Sequence, residues 1–215
     1  MCKEYLPFLL ALTFLMLLHS IAGASEVLPA SGHADSPTAL IQDTVDRLLA
    51  RLESDADGTS DNPERLYALV NDIVVPHLDM PRIARIVLGK YARRVDAADL
   101  AAFTREFQAL LVRTYATSLK SYGGEQIDVL PAKRSDNGTA SVQMNIRRPG
   151  AAPIAIAFLE HNKSGPWLVY DIRIEGISLV TNYRSEFASI LGNSSFDKLM
   201  SQLTSRNGHP QLAAK

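Results

Sequence analysis

At Gly124 the spacing of apolar residues along this chain changes, and that change constrains the fold more than any other feature. Before it, apolar side chains recur three or four residues apart; after it, they alternate with polar or small ones. The first spacing belongs to amphipathic helices, the second to strands with one face against a core. Helices collected first and strands second make an α+β domain, because nothing is left between the strands to build parallel crossovers.

Four helices are predicted before the switch. Residues 38–53 carry Leu40, Ile41, Val45, Leu48, Leu49 and Leu52 on one stripe; Pro63 suits the first turn of a helix over 64–74; Pro76 and Pro81 bracket a break before a helical piece over 82–88. The longest helix is predicted over 97–120. Asp96 caps it, Asp99 stands in the manner of a capping box, and Phe103, Phe107, Leu110, Leu111, Tyr115 and Leu119 form a wide apolar stripe. Its other side, with Arg105, Glu106, Gln108, Arg113 and Lys120, is expected to face water.

Four strands are predicted after it, over 126–131, 139–147, 153–160 and 166–175. Their connections, Ser135-Asp136-Asn137-Gly138, Pro149-Gly150 and Asn162-Lys163-Ser164-Gly165, have turn chemistry and hairpin length. Val142, Met144 and Ile146 alternate with Ser141, Gln143 and Asn145; Ile154, Ile156 and Phe158 with Ala155 and Ala157; Leu168, Tyr170, Ile172 and Ile174 with Asp171 and Arg173. One face of a curved antiparallel four-stranded sheet is therefore bulky and apolar, and the helices pack on it. Trp167 and Val169 fall by the same alternation on the face of Asp171, Arg173 and Glu175, an ion cluster that could pair with Arg184 or with neighbouring helices. Two further helices, over 178–191 and 195–203, close the chain.

Residues 1–24 read as an export signal: Lys3 is followed by an almost wholly apolar run from Leu6 to Leu18, then by Ala22-Gly23-Ala24. That run is too short for a membrane span. Residues 25–37 are expected to be a flexible N-terminus, 38–205 one domain and 206–215 a polar tail. The single cysteine, Cys2, leaves with the signal, so the exported chain has no disulfide, thiolate nucleophile or cysteine metal ligand. Such a chain fits a bacterial periplasm. Lys plus Arg number 22 against 23 Asp plus Glu, a formal net charge of -1 that offers no excess to neutralise a row of phosphates; a nucleic-acid partner is not expected.

No glycine-rich phosphate loop, serine-hydrolase elbow, zinc-protease helix or calcium loop is present, and the histidines have no metal-ligand spacing. His77 and Asp79 form the nearest approach to an acid/base pair. Asp79 either orients His77 for proton transfer or caps the helix that starts near Pro81. Lys90, Arg93 and Arg94 make a small basic patch that either stays solvated or meets an anionic headgroup or acidic partner.

The apolar sheet face allows two readings as well. Solid core is the simpler, since any such domain needs one. The other is capacity: two acyl chains of about 15 methylenes each would contribute on the order of 25 kcal/mol if enclosed, at about 0.8 kcal/mol per CH₂. The walls would be Val142, Met144, Ile146, Ile156, Phe158, Tyr170 and Ile172 on the sheet and Phe103, Phe107, Leu111 and Tyr115 on the long helix.

The runs Val75-Pro76-His77-Leu78-Asp79-Met80, Val87-Leu88-Gly89-Lys90-Tyr91, Phe103-x-x-x-Phe107-x-x-Leu110-Leu111-Val112-x-Thr114-Tyr115 and, above all, Trp167-x-Val169-x-Asp171-Ile172-x-Ile174-Glu175-Gly176-Ile177-Ser178-Leu179-Val180-x-Asn182-Tyr183-Arg184-Ser185-x-Phe187 occur in this order. Together they resemble the MlaC family of periplasmic phospholipid-binding proteins, also called toluene-tolerance auxiliary proteins, over about residues 38–203. His77 stands where the family often has Tyr, and Ala92 where it has Trp. The resemblance implies a cone similar to nuclear transport factor 2 with extra helices, whose cavity holds acyl tails with the headgroup near its mouth, Lys90 and Arg93 being candidates to meet the headgroup or a partner. It further implies a non-enzymatic periplasmic carrier without a cofactor, not integral to a membrane. Its partners would be an outer-membrane lipoprotein and porin complex and an inner-membrane ABC transporter fronted by an MCE-domain protein. A small lipid-modifying enzyme using His77 and Asp79, or a ligand-free adaptor, are the alternatives.

Overall fold

Each helix begins where the sequence supplies a side-chain acceptor for otherwise orphaned backbone N–H groups. The computed structural model describes residues 36–54, 62–163 and 165–208. The expected signal, most of the expected flexible N-terminus and the end of the tail lie outside them. Ser36 caps α1 (Pro37–Glu53) and Asn62 caps α2 (Pro63–Ile73), each with proline in the first turn. A 3₁₀ turn (Val75–His77) leads to α3 (Met80–Leu88), capped by Asp79, which accepts from the Arg82 N–H at 3.0 Å. After a second 3₁₀ turn (Gly89–Arg93), Asp96 caps α4 (Ala97–Ala116) by accepting from the Asp99 N–H at 2.8 Å. The last turn of the predicted long helix tightens to 3₁₀ over Thr117–Ser121.

The sheet has six antiparallel strands rather than four: β1 (Gln126–Val129), β2 (Lys133–Ser135), β3 (Thr139–Arg147), β4 (Ile154–His161), β5 (Leu168–Ile174) and β6 (Ile177–Ser178). Their order is β1-β3-β4-β5-β6, and β2 shares the outer edge of β3 with β1. The two additional strands have three and two residues, too few for a period of two to show. Two helices follow, α5 (Leu179–Asn193), capped by Ser178, and α6 (Phe196–Gly208).

A bulge corrects the expected facing of β5. Leu159 pairs with Asp171 and Glu160 with Val169, which leaves Tyr170 without a partner. One extra residue reverses the parity of everything before it. Val169 and Trp167 therefore turn to the face of Phe158 and Ile172, where they pack with Leu40 and Ile41 of α1 and with Ala140 and Val142 of β3. Tyr170 leaves the apolar face; its ring lies 5.8 Å from that of His161 and 4.9 Å from the Arg82 guanidinium carbon.

A second core lies wholly among helices. Phe103 and Phe107 of α4 stack at 5.7 Å between ring centroids, and Phe187 and Tyr183 of α5 meet them edge-on. Leu199 and Leu203 of α6 and Ile83, Val87 and Leu88 of α3 complete this core. Packed between α2, α3 and α6, α4 does not turn its whole polar side to water as expected. Gln108 donates to Asn71 of α2 at 3.1 Å, the Arg113 guanidinium covers the Tyr67 ring, and Glu106 accepts from Asn207 of α6 at 2.6 Å.

Candidate functional site

Strand register sorts the apolar sheet face into cross-strand rows, since directly paired residues point the same way. The first is Ile127–Ile146–Ile154; the second is Val129–Met144–Ile156–Ile174–Ile177; the third is Val142–Phe158–Ile172; the fourth is Ala140–Glu160–Val169. Burial is graded across them. Val142, Glu160 and Val169 are closed off, whereas Ile127, Ile146, Ile154, Ile156 and Ile174 are only half-buried and Ile177 is 65% exposed. The face is a sealed core at one end and an incompletely covered apolar wall at the other.

The expected wall residues divide along that gradient. Phe107, Leu111 and Ile172 come together with Leu78, Ile83, Leu179, Val180 and Tyr183 around a cavity of about 30 Å³ between helices and sheet. That is one water's share of volume, so in this conformation the seam is closed to an acyl chain. Met144, Ile146, Ile156 and Phe158 lie on the wall. Tyr115 is half-buried, and burial, with the Tyr183 hydroxyl bonded to it, pushes its phenol above the usual tyrosine range. Three expected positions are corrected: Phe103 is sealed in the helical core, Val142 is sealed beneath α1, and Tyr170 is the bulge residue. Ile127, Ile154 and Ile174 were not among the expected wall residues. The alternation Gln126-Ile127-Asp128-Val129 carries the signal for the first, and the others share strand parity with residues that were.

Asp79 bonds a histidine that the sequence did not pair with it. Its Oδ2 lies 2.8 Å from Nε2 of His161, while Oδ1 caps α3. His161 is 3% exposed and its Nδ1 accepts from the Lys163 N–H at 3.4 Å, so Nε2 carries the proton it donates to Asp79. The Asp79 carboxylate thus joins the start of α3 to His161 at the end of β4. Asp171, also buried, accepts from the Val180 N–H at 3.2 Å at the start of α5, with Arg173 3.7 Å away. Of the two expected partners of that cluster, the neighbouring helix is the one bonded to Asp171, while Arg184 lies over Gly89. Gly89 has φ +56°, and a Cβ there would stand 3.1 Å from the Arg184 Nε.

Glu160 went unread in the sequence, although it shares parity with Ile156 and Phe158. It is completely buried, neither carboxyl oxygen has a hydrogen-bond partner, and burial raises its pKa to about 8. An unpaired buried carboxylate is too costly to persist at neutral pH, so the group is held as the neutral acid. Lys90 and Arg93 are exposed near the end of α3, with the Lys90 ammonium 5.2 Å from the Tyr91 ring centroid. A groove of about 640 Å³ lies elsewhere, between α1 and α2, and mixes Arg47, Arg51, Arg65 and Asp72 with apolar residues. Among the described residues no cluster of His, Cys, Asp and Glu could hold a metal ion, and no helix is long and apolar enough to cross a membrane.

A family model described as MlaC protein matches residues 42–205, spanning every element from α1 into α6. The chain belongs to the MlaC family. Similar family proteins include the intermembrane phospholipid transport system binding protein MlaC of Haemophilus influenzae, 27% identical over 81% of this chain and 84% of its own length. The toluene tolerance protein ttg2D of Pseudomonas putida is 28% identical over 74% of each chain. Among solved structures, the phospholipid-binding protein of Ralstonia solanacearum, in complex with a phospholipid, superposes with a TM-score of 0.74 at 26% identity, covering 81% of this chain and 98% of that one. The mixed helical and antiparallel architecture of this chain is thus that of a MlaC-like fold.

Proposed function

We propose that this MlaC-family chain is a periplasmic phospholipid carrier whose acyl chains lie along the first and second rows of the sheet, between that wall and the α4–α5 side of the helical layer. The observation that carries the reading is the graded wall: a domain that needed only a core would have no reason to leave Ile127, Ile146, Ile154, Ile156 and Ile174 half-covered beside a completely sealed cluster. The phospholipid bound to the Ralstonia relative supports it. Enclosing the tails requires the helices to move off the sheet, since the seam now holds about 30 Å³. The energy for that movement comes from the lipid itself, because each methylene removed from water contributes about 0.8 kcal/mol.

On this reading the chain is a binding and transport protein and not an enzyme, consistent with an Asp79 engaged by His161. It shuttles lipid between an outer-membrane lipoprotein and porin complex and an inner-membrane ABC transporter with an MCE-domain protein, with Lys90 and Arg93 available to a headgroup or partner. Loading and unloading are passive at the carrier, directed by relative affinities for lipid. Native mass spectrometry of the mature protein, purified from its periplasm without detergent, should find a phospholipid at near one per chain. Bare protein under the same gentle conditions would return the wall to the status of a loosely packed core.

A further inference from the structure

The second sheet row runs without interruption from the wall to the surface. Val129, Met144, Ile156, Ile174 and Ile177 are consecutive cross-strand neighbours, and exposure rises from 6% at Met144 through half-buried Ile156 and Ile174 to 65% at Ile177. A lone exposed isoleucine is ordinary. This one differs because its four row-mates form the proposed lipid wall and because its backbone is held firmly in place. Glu175, at φ 50°, and Gly176, at φ 80°, make the tight turn that doubles the chain back on β5. The Glu175 N–H donates to the Ala155 carbonyl at 2.8 Å, and its carboxylate accepts from the Ala155 N–H, locking the turn to β4. On the far side Ser178 caps α5. An apolar side chain is thus fixed in water by three separate restraints.

We infer that Ile177 is the lip of the carrier: the point at which an acyl chain crosses between the outside and the second row. The inference rests on the carrier reading and adds to it the place and side chain of passage. A tail that met water between donor and wall would lose its apolar contacts at the crest of transfer. Ile177 extends the wall by one residue beyond the helices and shortens that exposure. Its role is kinetic, to lower the barrier to entering or leaving.

The test follows transfer of a fluorescent phosphatidylglycerol from loaded protein to unlabelled phosphatidylethanolamine vesicles for wild type, Ile177→Ser and Ile177→Leu. Ile177→Ser should slow transfer about tenfold, the order expected when one isoleucine-sized apolar contact is lost from a barrier, and Ile177→Leu should restore the rate. Equal rates for wild type and Ile177→Ser overturn the inference while leaving the carrier intact. A wild type that takes up no labelled lipid overturns the carrier reading and the lip with it. Should Ile177→Ser melt early, Ile177→Thr, which keeps the branched β-carbon of a strand residue, decides the matter through its own rate relative to wild type.

Discussion

Glu160 has no charged group to relieve its burial. From β3 it faces Ala140; from β5, Val169, with Trp167 two residues away on the same face; and the α1 residues in that cluster are Leu40 and Ile41. Arg134 of β2 is next in the row beyond Ala140, but its guanidinium lies over the Trp167 ring and makes no bond to Glu160. Burial alone raises the folded pKa from 4.5 to about 8. The native state therefore keeps a proton that the unfolded chain releases above 4.5, and stability falls as the pH rises from there to about 8, levelling off beyond. The loss is of the order of 3 to 5 kcal/mol. Glu160→Gln should abolish this slope, so that its melting temperature exceeds that of wild type by more at alkaline than at acid pH. Parallel melting curves for the two proteins across that range would show that Glu160 finds a partner in solution.

At the scale of elements, Asp79 joins parts of the fold that meet only in three dimensions. One oxygen starts α3, the other holds His161 of β4, and the Asp79 N–H donates to the Val169 carbonyl of β5 at 2.9 Å. Removing the carboxylate takes away a helix cap, worth about 1 kcal/mol, and leaves a buried imidazole N–H unpaired, worth about 1–3 kcal/mol more. Asp79→Ala should therefore lower stability to denaturant by about 2–4 kcal/mol, while Asp79→Asn, which retains an acceptor for the Arg82 N–H, should lose less. Equal losses would mean that the bond to His161, not the cap, carries the effect. Capping was legible in the sequence because it is local: Asp79 stands three residues before the N–H that it accepts. Its second partner is 82 residues away, and nothing in the spacing of His161 announces it.

At the scale of the molecule, the two seams between helices and sheet differ. The α1 seam is dry, with Leu40, Ile41, Val142 and Val169 all sealed; the α4–α5 seam retains a small void beside half-buried Leu111 and Ile172. Opening should follow the weaker seam. Trp167, the only tryptophan in the chain, is buried in the dry one and reports on it directly. Its emission maximum should stay unchanged when phospholipid is loaded or extracted; a red shift in either state would place the moving boundary under α1 instead.

The sequence by itself determined the helices and the four longer strands with their order, the caps of α3 and α4, the antiparallel hairpins and the apolar side of β3 and β4, because each depends on residues no more than a few positions apart. It also carried the family resemblance, whose motif blocks run through the same elements. Only the tertiary structure decided which apolar residues are wall and which are core. Phe103 and Leu111 share one stripe on α4, yet Phe103 is walled in by α5 and α6 while Leu111 borders the seam. Parity along β5 was true after Tyr170 and reversed before it, because a bulge is set by the pairing of two strands and not by either one alone. Burial is a property of what lies opposite, and for Glu160 and His161 what lies opposite comes from distant parts of the chain.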